Sequence, residues 1–419
     1  MQIPQQVDVT VIGGGIVGCA TAYFLAQSGA SVALCEKGEI GIEQSTRNWG
    51  FVRKQGRDPA EIPLMVLSEQ IWKTLDTSLG QDLGLVRGGT LYLSDDETRY
   101  EANQRWLKIG QEHDLDTVFL SLDELQKLIP DLEGQTRGAL FTPSDMRAEP
   151  VNTMKAFKQG CEDAGVNVLT YCAARGLDIS AGRVSGVVTE HGLIKSEKAV
   201  LAGGAWSRYF CRNLDIELPQ LKVVGSVLRT QAAPLIHQQS IWSNGLGIRR
   251  RQDGGYNVAF GGSFDCDLTP DHFRYFRDFL PAYRAGKEQV TLKLGRRFMR
   301  ELMWPSHWSL DKVTPFENIR ALNPKPNEKL LQQAHTNMGR LFPSLKDIPI
   351  AEKWAGMIDV TPDELPVIDQ AAKVPGFYLS TGYSGHGFGI GPGAGKVTSD
   401  LVLGNPLAVD IKAFSLARF

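Results

Sequence analysis

The start of the chain alternates between short apolar runs and a helical pattern. Val9 to Ile12 is an apolar run of strand length, and Val32 to Cys35 is a second one. The residues between them place apolar side chains at helical spacing, at Val17, Ala20, Phe24 and Leu25. Apolar positions three or four residues apart indicate a helix that packs on one face. This stretch therefore predicts a strand–helix–strand unit.

Further along, periodic segments alternate with turn residues. The predicted helices cover 59–79, 96–112, 122–129, 151–164, 270–283 and 327–342, with a last one beginning around Pro392. The predicted strands include 88–93, 198–201, 221–230, 256–263 and 377–380, and 166–169, 176–179, 183–189 and 193–196 are expected to form one antiparallel meander. Ser121 with Glu124 predicts a helix N-terminus, and Asp253-Gly254-Gly255 predicts a hairpin turn.

These elements predict an α/β chain, with some α+β elements, in two discontinuous domains. A Rossmann-like nucleotide-binding domain is expected to comprise 1–85, 143–215 and 325–419. A substrate domain on an antiparallel sheet is expected to comprise 86–142 and 216–324. A length of 419 residues is sufficient for two domains.

The turn after the first strand carries glycines that fit G-x-G-x-x-G, at Gly13, Gly15 and Gly18. In such turns the glycines permit a tight bend, close approach to a pyrophosphate and close helix–strand packing. Glu36 ends the second strand, where a carboxylate accepts hydrogen bonds from a ribose. The motif predicts a bound dinucleotide, and the carboxylate disfavours a 2′-phosphate.

Charge and cysteine content exclude several classes of protein. The net charge is −2, which favours neither nucleic acid nor an anionic membrane over the whole molecule. The six cysteines and seven histidines lack metal-ligand spacing, so no metal site is predicted. Residues 11–29 carry no charge, but no basic segment precedes them and the glycine motif explains them. We expect no transmembrane segment and a cytoplasmic protein, with peripheral association with the inner membrane as an alternative.

Two further segments carry candidate chemistry. The polar stretch 45–57 contains hydroxyls, amides and Arg53, which is able to pair with a carboxylate. Glycine turns follow the strands that end near Leu201 and Ser380. The run Arg249-Arg250-Arg251 is interpreted first as a solvated strand end.

The motifs together resemble the FAD-dependent amine and amino-acid oxidoreductases, the superfamily of D-amino acid oxidase, glycine oxidase and sarcosine oxidase. The resemblance rests on the N-terminal fingerprint, on Ala202-Gly203-Gly204-Ala205-Trp206-Ser207, and on 354–369 with 381–388. It is strongest to the sarcosine oxidase and dimethylglycine dehydrogenase branch. It implies FAD, extended across the glycine turns. The implied FAD contacts are Gly13, Gly15, Ile16, Val17, Gly18, Glu36, Lys37, Ser45, Thr46, Arg47, Asn48, Ala174, Gly203, Gly204, Trp206, Gly385, His386, Gly387, Phe388 and Gly389.

The resemblance also implies substrate contacts, with some departures. Arg53 matches an arginine that holds the substrate carboxylate, and His386 is placed near the flavin. The second carboxylate partner, a lysine, falls on Gly389, and the cysteine that attaches flavin covalently falls on Gly356, so we expect non-covalent FAD. The oxygen-activating lysine falls near Asn257. Candidates for replacement contacts are Arg249, Arg250 and Tyr256.

The predicted reaction is oxidation of the C–N bond of an amino acid or N-substituted amino acid by hydride transfer to flavin N5, followed by hydrolysis of the imine. A dehydrogenase that passes electrons to a quinone or carrier is favoured over an oxidase that uses O2. The alternative is a flavoprotein subunit of a hetero-oligomeric amine or opine dehydrogenase complex, inactive alone. A flavin hydroxylase that uses NAD(P)H is a third hypothesis, against which the chain lacks a second nucleotide fingerprint.

Overall fold

The fold is described by a computed structural model that covers residues 2–419. The strands are β1 Val9–Ile12, β2 Val32–Cys35, β3 Phe51–Val52, β4 Thr90–Leu93, β5 Val118–Leu120, β6 Ala139–Thr142, β7 Met146–Arg147, β8 Asn167–Leu169, β9 Ala174–Ser180, β10 Arg183–Thr189, β11 Gly192–Lys195, β12 Lys198–Leu201, β13 Leu221–Thr230, β14 Ser240–Ser243, β15 Leu246–Arg250, β16 Tyr256–Ala259, β17 Phe264–Asp267, β18 Val290–Lys293, β19 Ile350–Val360, β20 Val367–Gln370 and β21 Phe377–Thr381. The helices are α1 Ile16–Gln27, α2 Gln44–Arg47, α3 Ile62–Leu79, α4 Glu97–Glu112, α5 Leu122–Leu128, α6 Pro150–Asp163, α7 Ser207–Arg212, α8 Pro270–Arg274, α9 Phe276–Gly286, α10 Arg296–Leu302, α11 Pro315–Asn318, α12 Glu328–Leu341 and α13 Gly387–Leu403.

A six-stranded sheet in the order β20-β21-β12-β1-β2-β8 forms the nucleotide-binding half. Its strands run parallel except β20, so the carboxyl ends of β1, β2 and β12 lie at one edge. The glycine turns after β1 and β12 therefore meet there, which is where ligands bind in open parallel sheets. The predicted Rossmann-like fold is confirmed.

The position of β8 differs from the prediction that 166–169 belongs to the antiparallel meander. Residues 166–169 were expected to lie in it, but Ala33–Cys35 of β2 pairs with β8 in parallel. The helix α6 before β8 makes the crossover that a parallel strand requires. The antiparallel meander consists only of β9, β10 and β11.

A second, ten-stranded sheet contains β4 to β6 and β13 to β19. Its longest pairing joins β13 to β19 from Leu221–Val360 to Thr230–Ile350. Residues 328–360 therefore lie in or against this sheet, since α12 packs on β15 and β16. The predicted boundary placed 325–419 entirely with the nucleotide-binding half. The strand pairing instead joins residues 350–360 to the ten-stranded sheet.

The last helix begins earlier than predicted. It starts at Gly387, so Pro392 lies within it and not in its first turn. Three of its glycines face other helices at close range. A Cβ at Gly391 would lie 2.9 Å from Ile16, one at Gly393 2.8 Å from Ser68, and one at Gly395 2.5 Å from Ala20. The glycine-rich sequence thus serves close packing of α13 against α1 and α3, and it does not indicate a loop.

Most other sequence predictions of helices are confirmed. The helix over 59–79 is a 3-10 turn followed by α3, and Ser121 forms the predicted capping box with Glu124. In 2–419, we find no helix with both the length and the apolar character required to cross a bilayer.

Candidate active site

The glycine turn after β1 is shaped by two steric requirements. Gly13 has φ +110°, and a Cβ there would lie 2.4 Å from the carbonyl oxygen of Ala202. A Cβ at Gly18 would lie 1.9 Å from the oxygen of Gly13. No larger residue fits either position without moving the backbone. The backbone N–H of Ile16, at the start of α1, donates to Ser45 Oγ at 3.0 Å.

Glu36 lies at the end of β2, where the motif predicted it. Its carboxylate accepts hydrogen bonds from the backbone N–H groups of Gly14 and Gly38, both at 2.7 Å. Burial raises the pKa of Glu36, while Lys37 and these two N–H groups oppose the rise. The carboxylate thereby fixes the turn that faces the first cavity.

Two cavities meet at Gln44, which lines both. The first lies over the glycine turns. Its predicted lining residues are Gly13, Gly15, Glu36, Lys37, Ser45, Ala174, Gly203, Gly204 and Trp206. Lys37 is held by Glu43 at 2.6 Å, and Trp206 Nε1 donates to the same carboxylate at 3.1 Å.

The second cavity lies between the start of α13 and the ten-stranded sheet. Its predicted lining residues are Arg47, Asn48, Arg53, Gly385, His386, Phe388 and Gly389. Its walls are aromatic, formed by Trp49, Phe51, Trp242, Phe260 and Phe264. Trp49 and Trp242 stack with ring centroids 4.8 Å apart.

The two cavities share Gln44, and their linings have the chemistry expected for a dinucleotide with an aromatic ring system: glycine turns at the first and aromatic side chains at the second. Gln44 Oε1 is buried between them and has no hydrogen-bond partner among residues 2–419. An unpaired buried acceptor is costly, so a ligand with N–H donors is the expected partner. The start of α13, with its free backbone N–H groups, lies at the second cavity and favours negative charge there.

Five of the predicted cofactor residues line neither cavity. Ile16, Val17 and Gly18 are buried in the first turn of α1 and shape the glycine turn. Thr46 Oγ1 donates to the Gly41 carbonyl at 2.7 Å. Gly387 packs against Tyr383.

The candidates Arg250 and Tyr256 also lie away from both cavities. Tyr256 is fully buried, and its hydroxyl donates to the Pro234 carbonyl at 3.0 Å. Arg250 lies over the Tyr256 ring and donates to the Ala233 carbonyl at 2.8 Å. Both side chains hold the loop around 233–236, so the structure does not place them where a substrate would bind.

The interpretation of 249–251 as a solvated strand end is wrong for Arg249, which is buried. Only 1% of Arg249 is exposed, and its guanidinium pairs with Glu149 at 2.7 and 3.1 Å. The guanidinium also donates to the Trp49 carbonyl, so Arg249 supports the aromatic wall from behind.

A group of charged residues lies at the second cavity, and the sequence identified only part of it. Arg53 lines the cavity, donates to the Gln55 carbonyl and lies 5.5 Å from the Tyr92 ring. Arg57 lines it too and is 4% exposed; its Nη1 has no hydrogen-bond partner within residues 2–419. Burial, together with the charge of Arg53, lowers the pKa of Arg57 to about 10.

His386 and Glu61 complete this group. His386 Nδ1 lies 3.1 Å from Oε2 of Glu61, which is fully buried at the start of α3. Burial and the charges of Arg57 and Arg53 lower the pKa of His386, and Glu61 opposes the fall, so that the pKa is about 4. Arg57, Glu61 and Gln44 were not predicted as site residues from the sequence. The only available signal was that Arg57 and Glu61 follow Arg53 at intervals of four residues.

Comparison with known proteins agrees with this geometry. The model of the family described as FAD dependent oxidoreductase matches residues 8–401. Glycine oxidase of Bacillus licheniformis is 25% identical over 98% of this chain and 97% of its own length, and sarcosine oxidase subunit beta of an Arthrobacter species is 22% identical over 98% and 91%. The structure of L-amino acid deaminase from Proteus myxofaciens in complex with anthranilate is 31% identical, with a TM-score of 0.96 over 100% of this chain and 95% of that one. The resemblance seen in the sequence is confirmed: the chain belongs to the FAD-dependent oxidoreductase family, uses FAD as its cofactor, and is an oxidoreductase that acts on carbon–nitrogen bonds.

Proposed function

We propose that this chain oxidises the C–N bond of an amine that carries a carboxylate, and that Arg53 and Arg57 hold the carboxylate. The observation that carries the proposal is the pair of guanidinium groups at one cavity, with Arg57 Nη1 buried and unpaired. Planar guanidinium groups match carboxylates bidentately. In the family that the sequence resembles, a lysine is the second cation that binds the substrate carboxylate, and its position here is Gly389. We propose that Arg57 replaces this lysine.

The chain's own residues orient the substrate and exclude water. The residues of the first cavity would hold the nucleotide part of FAD, and those of the second would hold its ring. When bound, FAD supplies the two-electron acceptor for the hydride that leaves the substrate carbon. Anchoring the carboxylate on Arg53 and Arg57 fixes which C–H bond faces that acceptor, and such positioning alone lowers the barrier. The resulting imine is hydrolysed to a carbonyl compound and an amine.

The aromatic walls support a substrate with a large apolar or aromatic side chain. Trp49, Trp242 and Phe260 give an extended apolar surface in the same cavity as the arginines. The related deaminase from Proteus myxofaciens binds anthranilate, an aromatic carboxylate. We infer that amino acids with bulky side chains are oxidised faster than glycine or sarcosine.

The test is anaerobic titration of the FAD-reconstituted chain with an amine panel, followed by flavin absorbance. Bulky amino acids should bleach the flavin, their decarboxylated amines should do so far less, and glycine should lie between. Equal bleaching by acids and their decarboxylated amines would reject the carboxylate anchor. No bleaching by any carboxylate-bearing amine would reject the function.

The alternative of a subunit that is inactive alone is supported by one relative, sarcosine oxidase subunit beta. Amine-dependent dye reduction by the purified chain separates the two. Activity of the chain alone at a rate typical of enzymes, about 1–1,000 per second, rejects the subunit hypothesis. Flavin reduction without turnover would favour it.

A dehydrogenase that delivers electrons at a membrane is supported by one surface, formed by residues 270–303. It exposes large apolar side chains, among them Phe276, Leu294 and Met303, the last two 72% and 74% exposed. It also exposes seven Lys and Arg against two Asp and Glu, although the whole chain is slightly acidic. Apolar side chains surrounded by basic ones are typical of proteins that lie on anionic lipid.

Co-sedimentation with vesicles tests this surface. The holoenzyme should bind vesicles that contain phosphatidylglycerol and bind phosphatidylcholine vesicles much more weakly, and salt should release it. The double variant L294S/M303S should bind less, whereas Leu235→Ser, an exposed leucine elsewhere, should not change binding. Absence of binding, or rapid reoxidation of the reduced enzyme by O2, would reject a membrane dehydrogenase.

A further inference from the structure

The contact between His386 and Glu61 orients the histidine ring at the second cavity. His386 is the residue that precedes α13, and Glu61 immediately precedes α3, so two packed helix starts hold the pair. Nδ1 faces the Glu61 carboxylate at 3.1 Å. Nε2 has no hydrogen-bond partner among residues 2–419, and the ring lines the cavity.

This contact determines where the ring proton lies. A carboxylate accepts hydrogen bonds and does not donate them, so the proton of a neutral ring must be on Nδ1. Nε2 then carries the lone pair and is the nitrogen that meets the cavity. Without Glu61 nothing in the contact would fix this tautomer.

Burial, and after it two positive charges beside the ring, oppose protonation of His386 in the absence of substrate. Arg57 and Arg53 lie in the segment before α3, while Glu61 acts in the opposite direction. Glu364 and Tyr383 are the other titratable groups whose charges interact with Glu61. A substrate carboxylate on the two arginines would neutralise their charge, so the proton affinity of Nε2 would rise when the substrate binds.

We propose that His386 Nε2 accepts the proton that the substrate's ammonium group must lose before oxidation, and that Glu61 is the residue that positions it. The proposal rests on the proposed function, since it requires an amine substrate. One N–H bond of the ammonium breaks, its electron pair stays on the substrate nitrogen, and a new N–H bond forms at Nε2. The proton passes to solvent when product leaves. An amine with a free lone pair is the form that releases hydride.

The test uses nitrogen-15 NMR of the holoenzyme labelled at histidine, with benzoate as a carboxylate that has no amine. The His386 signals are assigned by their loss in His386→Asn. We expect the wild-type ring to be protonated on Nδ1 only at pH 8. Benzoate should raise the pKa of His386, and by linkage benzoate should bind about tenfold more tightly in acid for each pH unit of that rise.

Two matched variants separate positioning from general effects of charge. Glu61→Gln should allow protonation of Nε2 in place of Nδ1, because an amide also donates. Glu364→Gln, a neighbouring carboxyl that does not contact His386, should leave the tautomer unchanged. In steady-state kinetics, Glu61→Gln should lower kcat/KM and shift its acid limb, and the Glu364 variant should not.

Two results would overturn the proposal. One is a wild-type ring protonated on Nε2, and another is a His386 pKa that does not respond to benzoate. Both measurements need only the wild-type protein, so a variant that fails to fold does not remove the test. Neither needs turnover. A wild-type ring that behaves as expected in a protein whose flavin no amine bleaches would therefore reject the proposed function, and with it the role of His386 as proton acceptor.

Discussion

Substitution of Arg57 by methionine tests the assignment of the second cation most directly. The Arg57 side chain is almost fully buried, its Nε donates to the Arg53 carbonyl at 3.3 Å, and its Nη1 lacks a partner within 2–419. Methionine retains most of the volume and removes the charge. The change therefore isolates what the guanidinium contributes to ligand binding.

The magnitude follows from the type of interaction. A hydrogen bond to a charged group contributes about 1.5–3 kcal/mol, so the Kd of a carboxylate ligand should rise about 13- to 160-fold. The free energy of unfolding should change by less than about 1 kcal/mol, because relief of an incompletely paired buried charge offsets the lost attraction to Glu61. A large loss of affinity with little loss of stability is the expected combination.

The assay is titration of the holoenzyme with benzoate and with benzamide, followed by the flavin absorption spectrum. In Arg57→Met the Kd of benzoate should rise relative to the Kd of benzamide, because only benzoate carries a charge. Arg250→Met is the matched control, since Arg250 lies over Tyr256 away from the cavity, and it should leave both Kd values unchanged. Equal weakening of both ligands by Arg57→Met would refute the reasoning.

Three further outcomes are expected. Burial holds the pKa of His237 near 3 and those of His272 and His386 near 4. Between pH 6.5 and 5 the unfolded chain therefore binds protons that the folded chain does not bind. In urea titrations the free energy of unfolding should fall with falling pH, by up to about 1.4 kcal/mol per pH unit for each histidine, and a flat profile would contradict this. Gly18→Ala should purify without FAD, because the added Cβ would lie 1.9 Å from the Gly13 oxygen, whereas Gly286→Ala, with nothing within 4 Å, should remain yellow. Acid precipitation should leave the flavin in the supernatant, because Gly356 offers no thiol and a Cβ there would lie 2.0 Å from Gln44 Oε1; a yellow pellet would show covalent attachment.

Local patterns in the sequence were sufficient for the nucleotide-binding half. Gly13, Gly18 and Glu36 lie within one strand–helix–strand unit, so their spacing alone predicts the turn that the structure contains. The same holds for the capping box at Ser121 and for most helices, since these depend on neighbours a few residues apart. The family resemblance extended this to FAD, which the comparisons confirmed.

The substrate side was decided by contacts between distant segments. Arg250 and Tyr256 are cross-strand partners in β15 and β16, and hydrogen bonds to the loop at 233–236 hold both side chains away from the cavities. Residues 166–169 were assigned to the wrong sheet because a short apolar strand does not specify its partner. Arg57 and Glu61 reach the candidate site only because the start of α3 packs against the start of α13. Glu61 and His386, which are in contact there, are 325 residues apart in the sequence. Backbone conformation is encoded locally, whereas the charge around a buried group depends on which segments fold against it, and that is what only the tertiary structure decided.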